Sequence, residues 1–190
     1  VGGDHSTPLG YFRAQAARHE SFGILHLDAH LDLRQAYEGF TYSHASIMYN
    51  ALQLEQLETI VSVGTRDFCE AEARVFKEEQ PRVRLHRGPE LRRQCDTIIA
   101  QLPDAVHISF DIDALDPVLC PNTGTPVPGG LAFDEATYLL SRLAESGKRI
   151  IGFDLVEVSP GAEGDWDGNV GARLLFHLCG VLAKAGKAAK

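Results

Sequence analysis

The chain has 190 residues, 44% of them hydrophobic and 23% charged, enough for one domain that buries a sizeable core. A formal net charge of −8 argues against nucleic acid or an anionic membrane surface as the main partner. No apolar run approaches the roughly 20 residues that span a bilayer, the opening residues do not read as a signal peptide, and four scattered cysteines (Cys69, Cys95, Cys120 and Cys179) form no C-x-x-C pair, which fits reduced thiols in a cytoplasmic protein.

In chain order, helical patterns alternate with short apolar runs. Residues 7–20 predict a helix, with Ser6 as its N-cap and a proline in the first turn. Residues 22–30 predict a buried strand, 46–56 a helix, 59–65 a strand, 69–80 a helix and 82–87 a weaker strand. A helix over 91–102 precedes a strong strand over 105–113. A helix over 134–147, capped by Asp134 and Gly147, leads to a strand over 149–159 and a last helix over 169–186, with a frayed Lys- and Ala-rich tail after Gly186. This alternation means βαβ units: an α/β fold with a parallel sheet and helices on both faces. The longest irregular stretch, 116–130, is rich in Pro and Gly and directly follows a strand that ends in acids. Its position points to function, because ligands of open α/β sheets sit at the carboxyl ends of strands.

Those strand ends carry an unusual density of ligand-type side chains. Along an extended chain, residues i and i+2 share a face, so Asp111 and Asp113 converge, and Asp28, His30 and Asp32 repeat the same spacing. His5, in a Gly-Gly-Asp-His turn, could add a sixth ligand. A lone D-x-D is often only an Asx-turn or a cap. Carboxylates crowded in this way repel one another, and a cation removes the conflict. Mixed Asp and His ligands without thiolates suit Mn²⁺, Fe²⁺, Co²⁺ or Zn²⁺. Six ligands exceed one tetrahedral zinc, whereas two ions about 3.5–4 Å apart would use them all.

The segments GGDHS (2–6), DAHLD (28–32), YSHAS (42–46), SFDIDALDP (109–117), GTPVPGGL (124–131) and GFDLVEVSP (152–160) together resemble the ureohydrolases, the arginase and agmatinase family. The resemblance implies a three-layer α/β/α fold that binds two Mn²⁺ ions and hydrolyses a small-molecule guanidino substrate, releasing urea. Position by position, it gives His5 and Asp32 to one ion, His30 and Asp113 to the other, and Asp28 and Asp111 to both. His44 matches the proton-shuttling histidine and Glu157 the carboxylate that orients the guanidinium, so His44, Glu157 and Asp32 are the catalytic candidates. Asp4 and Asp154 are expected to orient ligands or brace the turn, and His19, His26, His86, His107 and His177 to be structural or exposed.

For the substrate, YSHAS and GTPVPGGL look more like agmatinases, which points to a small amine such as agmatine. Arg34 stands where arginases typically carry Asn, and a cation there would welcome a carboxylate. DAH-x-DLR also resembles the formimidoglutamases, so a hydrolase of an anionic formimino or guanidino acid is the alternative, unless Arg34 turns outward to pair with Glu38. A catalytically silent metal-binding relative is a third reading, opposed by the intact motifs. Family members are commonly trimers or hexamers, so a homo-oligomer is expected. Only Val1 precedes GGDHS, where the resemblance implies a central strand. The sequence is therefore expected to be an N-terminally truncated single catalytic domain, in which strand 149–159 loses one neighbour.

Overall fold

Five parallel strands form one sheet in the computed structural model, which describes residues 1–88, 90–162 and 164–188. They are β1 (Phe22–Leu27), β2 (Leu57–Val63), β3 (Val83–His86), β4 (Ala105–Asp111) and β5 (Arg149–Val156), in the order β3-β2-β1-β4-β5. Every residue of β1 and β4 is buried. That explains why both read as continuous apolar runs rather than alternating ones: helices cover the two faces.

Alternate side chains of β1 feed two cores. Phe22 and Ile24 join Phe12 of α1 (Leu9–Ala16) and Ile47 and Met48 of α2 (Ile47–Ala51). Leu25 and Leu27 join Ile98 of α4 (Leu91–Ala100), Leu139 of α5 (Phe133–Glu145) and Leu174 of α6 (Trp166–Ala188). The remaining helix, α3 (Glu70–Glu78), packs Val75 and Phe76 against the first of these cores. The result is the expected three-layer α/β/α arrangement.

Several elements are shorter than their sequence patterns, and each has a local cause. The strands expected over 22–30, 105–113 and 149–159 end at Leu27, Asp111 and Val156, so most of the acidic residues lie in the turns beyond. The helix expected over 46–56 is a 3₁₀ turn at His44–Ser46 followed by the short α2, because the chain must turn into β2, with Leu57 N donating to Leu54 O at 3.1 Å. Ser6 does not cap α1; its hydroxyl donates to Asp4 Oδ1, and Pro8 occupies the cap position. Asp134 does not cap α5 either. Glu135 accepts a hydrogen bond from Ala132 N at 3.0 Å, and Asp134 pairs instead with Arg92. Gly147 does end that helix in a left-handed conformation, φ +82°. The backbone of α6 runs past Gly186 to Ala188, and the last two residues of the expected frayed tail lie outside the described residues.

β5 is an edge strand whose outer side is partly met. Gly2 N donates to Leu155 O, Glu157 N donates to Gly3 O, and Tyr11 Oη and Gln15 Nε2 both donate to Ile151 O. These contacts seat the GGDHS turn at the carboxyl end of β5, beside the ends of β1 and β4.

Candidate metal centre

Asp28 is the first residue past β1, and its carboxylate is held from two directions. Oδ1 accepts from His30 N at 2.6 Å and Oδ2 from His26 Nε2 at 2.8 Å. The first of these bonds closes an Asx turn, which swings His30 back over the strand end. Asp32 follows in a left-handed conformation (φ +54°), and its carbonyl accepts from Met48 N and Tyr49 N at the start of α2. Such a conformation costs a non-glycine residue about 1–3 kcal/mol unless its surroundings fix it.

On β4, Asp111 Oδ1 accepts from Asp113 N at 2.9 Å and caps the 3₁₀ turn Ile112–Ala114. Asp113 Oδ1 in turn accepts from Ala29 N at 3.0 Å, and its Oδ2 from Thr125 Oγ1 of the 116–130 loop at 3.3 Å. The two strand ends are thus laced together through the acids. They converge because side chains cap tight turns, and not because alternate residues share a strand face.

All six expected metal ligands meet here. His5 Nδ1 lies 3.0 Å from Asp28 Oδ2, 3.1 Å from Asp32 Oδ2 and 3.3 Å from Asp111 Oδ2. His30 Nδ1 lies 3.1 Å from Asp113 Oδ2 and 3.4 Å from Asp28 Oδ1. Asp28 belongs to both groups, one oxygen to each.

The hydrogen bonds determine which nitrogen of His5 carries the proton. Ser109 Oγ donates to Asp154 Oδ1 at 2.9 Å, so its only proton is used. At 2.9 Å from His5 Nε2 the same oxygen must therefore accept, so Nε2 carries a proton and Nδ1 is the nitrogen left for a metal. Nδ1, which is buried, faces three carboxylates without a well-aligned hydrogen bond to any of them. Without a metal, a proton on Nδ1 would meet those carboxylates; a divalent cation would take that proton's place and satisfy the nitrogen and the carboxylates together. Four carboxylates and two imidazoles, with no thiolate, fit the expected donor set.

Protonation follows the same logic. Burial disfavours the charge on His5, yet Asp111, Asp28 and Asp32 raise its pKa well above the ordinary value. Burial likewise opposes the charge on His30, and Asp113 and Asp28 push it up to about 11. Burial and the neighbouring Asp113 and Asp28 raise Asp111 far above the usual carboxylate range. Burial and the Asp28 charge raise Asp32 as well. Burial acts on Asp28 in the same sense, but His26, His30 and His5 outweigh it and hold Asp28 well below that range. The metal-free cluster therefore carries protons where a cation would carry charge.

A cleft opens over these groups, walled by Arg34, Tyr37, His44, Asp67, Phe68, Glu72, Thr125 and Glu157. His44 begins the 3₁₀ turn and meets Tyr37 edge-on, with ring centroids 5.4 Å apart. Glu157 sits just past β5 with φ +60°, and its Oε1 accepts from His5 N at 2.8 Å. Burial raises its pKa. Asp4 braces the GGDHS turn by accepting from Ser6 N and Oγ.

Three contributors escape a reading of the sequence. His26, expected to be structural, donates directly to Asp28; its place two residues earlier on the strand was the available signal. His107 holds Asp154 through Nε2 at 2.7 Å and so stands behind Ser109 and His5. Arg66, just past β2, donates to the carbonyls of Gly64, Asp113, Leu115, Val127 and Pro128, which clamps the 116–130 loop over the centre. Arg34 pairs with Glu72, Nε to Oε2 at 3.5 Å, and not with Glu38.

A parallel α/β/α scaffold gathers four aspartates and two histidines at its strand ends, a cluster able to bind a divalent cation. A sequence profile of the Arginase family matches residues 1–180, and the chain belongs to that family. It is 36% identical over 186 residues to the N(1)-aminopropylagmatine ureohydrolase of Thermus thermophilus, covering 95% of this chain and 61% of that protein. It is 32% identical over 160 residues to the agmatinase of Bacillus cereus, covering 84% and 54%. The proclavaminate amidino hydrolase of Streptomyces clavuligerus superposes with a TM-score of 0.82 at 30% identity, covering 97% of this chain and 63% of that one. The agmatine ureohydrolase of Thermoplasma volcanium gives 0.80 at 31%, covering 98% and 62%. The chain thus spans between about half and three fifths of the length of the Thermus thermophilus and Bacillus cereus relatives.

Proposed function

We propose that residues 1–190 form one catalytic unit, a binuclear manganese hydrolase that cleaves the guanidino group of a small amine such as agmatine to release urea. The observation that carries this reading is the buried His5 Nδ1, faced by three carboxylates at 3.0, 3.1 and 3.3 Å. His5, Asp32, Asp28 and Asp111 would hold one ion, and His30, Asp113, Asp28 and Asp111 the other. When bound, such a pair supplies an acidified water as nucleophile near neutral pH.

The chain's own residues do the rest. Glu157, in a cleft with Asp32, accepts N–H bonds from the guanidinium and fixes its plane against the centre. A ring nitrogen of His44 takes up a proton and returns it to the leaving amine. Charge supports an amine substrate. Two divalent ions balance Asp28, Asp32, Asp111 and Asp113, and Arg34 offsets Glu72, which leaves Glu157 and Asp67 to face the substrate. A guanidinium with a second cation at its far end matches them. The names of relatives point the same way: agmatinase and aminopropylagmatine ureohydrolase. Arg34 at the cleft wall is what favours the second reading, a formimidoglutamase-like hydrolase of an anionic acid. A homo-oligomer, trimer or hexamer, and a cytoplasmic location belong to the same proposal; four unpaired cysteines support the latter.

The test is product analysis of the Mn²⁺-loaded protein with agmatine, arginine, 4-guanidinobutyrate and formimidoglutamate. Urea from agmatine, abolished by Asp113→Ala, is expected. Formamide from formimidoglutamate would promote the second reading, and urea release that survived Asp113→Ala would refute a two-ion mechanism.

A further inference from the structure

Among the described residues lining the cleft, Arg34 is the only guanidinium or ammonium. What it does to a substrate depends on Glu72, which lies on the first turn of α3 and is only 3% exposed. The Glu72 carboxylate is built into the protein. Oε1 accepts from Leu33 N at 3.2 Å, and Oε2 accepts from Cys69 N at 2.9 Å, closing the start of the helix. Two backbone donors meet its hydrogen-bonding need but leave its charge buried, and a buried charge demands a counter-ion.

That counter-ion is Arg34. Its Nε lies 3.5 Å from Glu72 Oε2, and its guanidinium carbon stands over the Tyr37 ring, 5.1 Å from the centroid. The side chain is held on one edge and one face. Its terminal nitrogens make no hydrogen bond among the described residues. Freed from Glu72, they would offer a carboxylate the two-pronged grip that arginine favours.

We infer that Glu72 is a specificity-determining positioning residue, which cancels the Arg34 charge so that the cleft selects a substrate with a cationic rather than an anionic far end. Glu72 need not touch the substrate. It sets the sign of the wall the substrate passes, and Asp67, 66% exposed at the same wall, supplies the attraction. The inference rests on guanidino hydrolysis at this centre for the identity of the substrate, but the selection itself is a matter of charge and can be read without turnover.

The experiment uses the full chain loaded with Mn²⁺ and two probes without a guanidino group, 1,4-diaminobutane and 4-aminobutyrate, which present an ammonium or a carboxylate at the same distance. Calorimetry gives the ratio of their dissociation constants. The wild type should prefer the diamine. Glu72→Gln keeps the shape and removes the charge, and should erode the preference about tenfold, the scale expected of one half-screened charge. Arg34→Gln should strengthen it by a similar factor, and the double variant should return close to the wild type. A ratio that moves less than threefold in both single variants overturns the inference, as does a wild type that binds neither probe. If Glu72→Gln fails to fold, Arg34→Gln decides alone. Urea release from agmatine and 4-guanidinobutyrate is measured in parallel. A ratio that swings in a protein releasing no urea keeps the charge selection and removes the proposed reaction; urea release with an unmoved ratio does the reverse.

Discussion

Replacing Ser109 with Ala removes one oxygen from a buried line of four groups, His107–Asp154–Ser109–His5. Ser109 is 0% and His5 1% exposed, so water cannot take the place of the lost oxygen without rearrangement. The Nε2–H of His5 would lose its acceptor, a cost of about 1–3 kcal/mol, and Asp154 would lose a donor to a charged group, about 1.5–3 kcal/mol. A drop of about 2.5–6 kcal/mol in the stability of the metal-free protein follows, a large share of the 5–15 kcal/mol typical of a folded domain. The tautomer of His5 would no longer be dictated, and Mn²⁺ affinity should fall about 10–100-fold, as for other groups that orient a ligand from behind. Urea unfolding reads the first effect and calorimetric Mn²⁺ titration the second. Ser62→Ala is the control. It strips a partner from His26 Nδ1 but leaves His26 Nε2 on Asp28, so it should cost stability while moving Mn²⁺ affinity less than threefold. If Ser109→Ala lost under about 1 kcal/mol and bound Mn²⁺ as tightly as the wild type, the role given to Ser109 in orienting His5 would be wrong.

Three further outcomes are expected. Arg66→Met removes the donor that ties the 116–130 loop to Asp113 and Leu115; it should lower stability by about 2–4 kcal/mol, near the high end for a partly buried hydrogen-bond network, and raise KM more than it lowers kcat. Mn²⁺ uptake at pH 7.5 should release protons, because His30 holds its proton up to about 11 and Asp111 well above its ordinary range; calorimetry in two buffers of different ionisation enthalpy measures this. The raised His30 value also sets a sign for stability. Its contribution is full below the unfolded pKa near 6.5 and is lost as pH climbs toward 11. The metal-free protein should therefore have a lower Tm at pH 9 than at pH 7, and Mn²⁺ should flatten the difference.

The clustering of these side chains was legible because each group follows an apolar strand and repeats at a spacing of two. Its geometry was not. Asp28 and Asp113 are aimed by bonds to backbone N–H groups of their own turns and of each other's, and periodicity carries no information about turns of that kind. Glu72 escaped for a different reason: it looks like an ordinary acid on a surface helix, and only the fold brings it to Leu33, 39 residues away. The same holds for Arg66, whose partners lie as far as 62 residues along the chain. The cap assigned to Asp134 failed because Ser, Thr and Asp at a helix start are preferences, and Glu135 closes the turn instead.

The GGDHS turn touches the rest of the molecule chiefly through the ends of β4 and β5, and His5 reaches Ser109 across 104 residues of chain. An ion gripped by both His5 and Asp111 would join two distant parts of the chain, and because it binds only the folded site its binding free energy would add to the stability of the fold. On that view the metal is also a fastener. The segment that carries His5 would be pinned by the ion it helps to bind, so loss of metal would loosen the GGDHS turn before it disturbed the sheet.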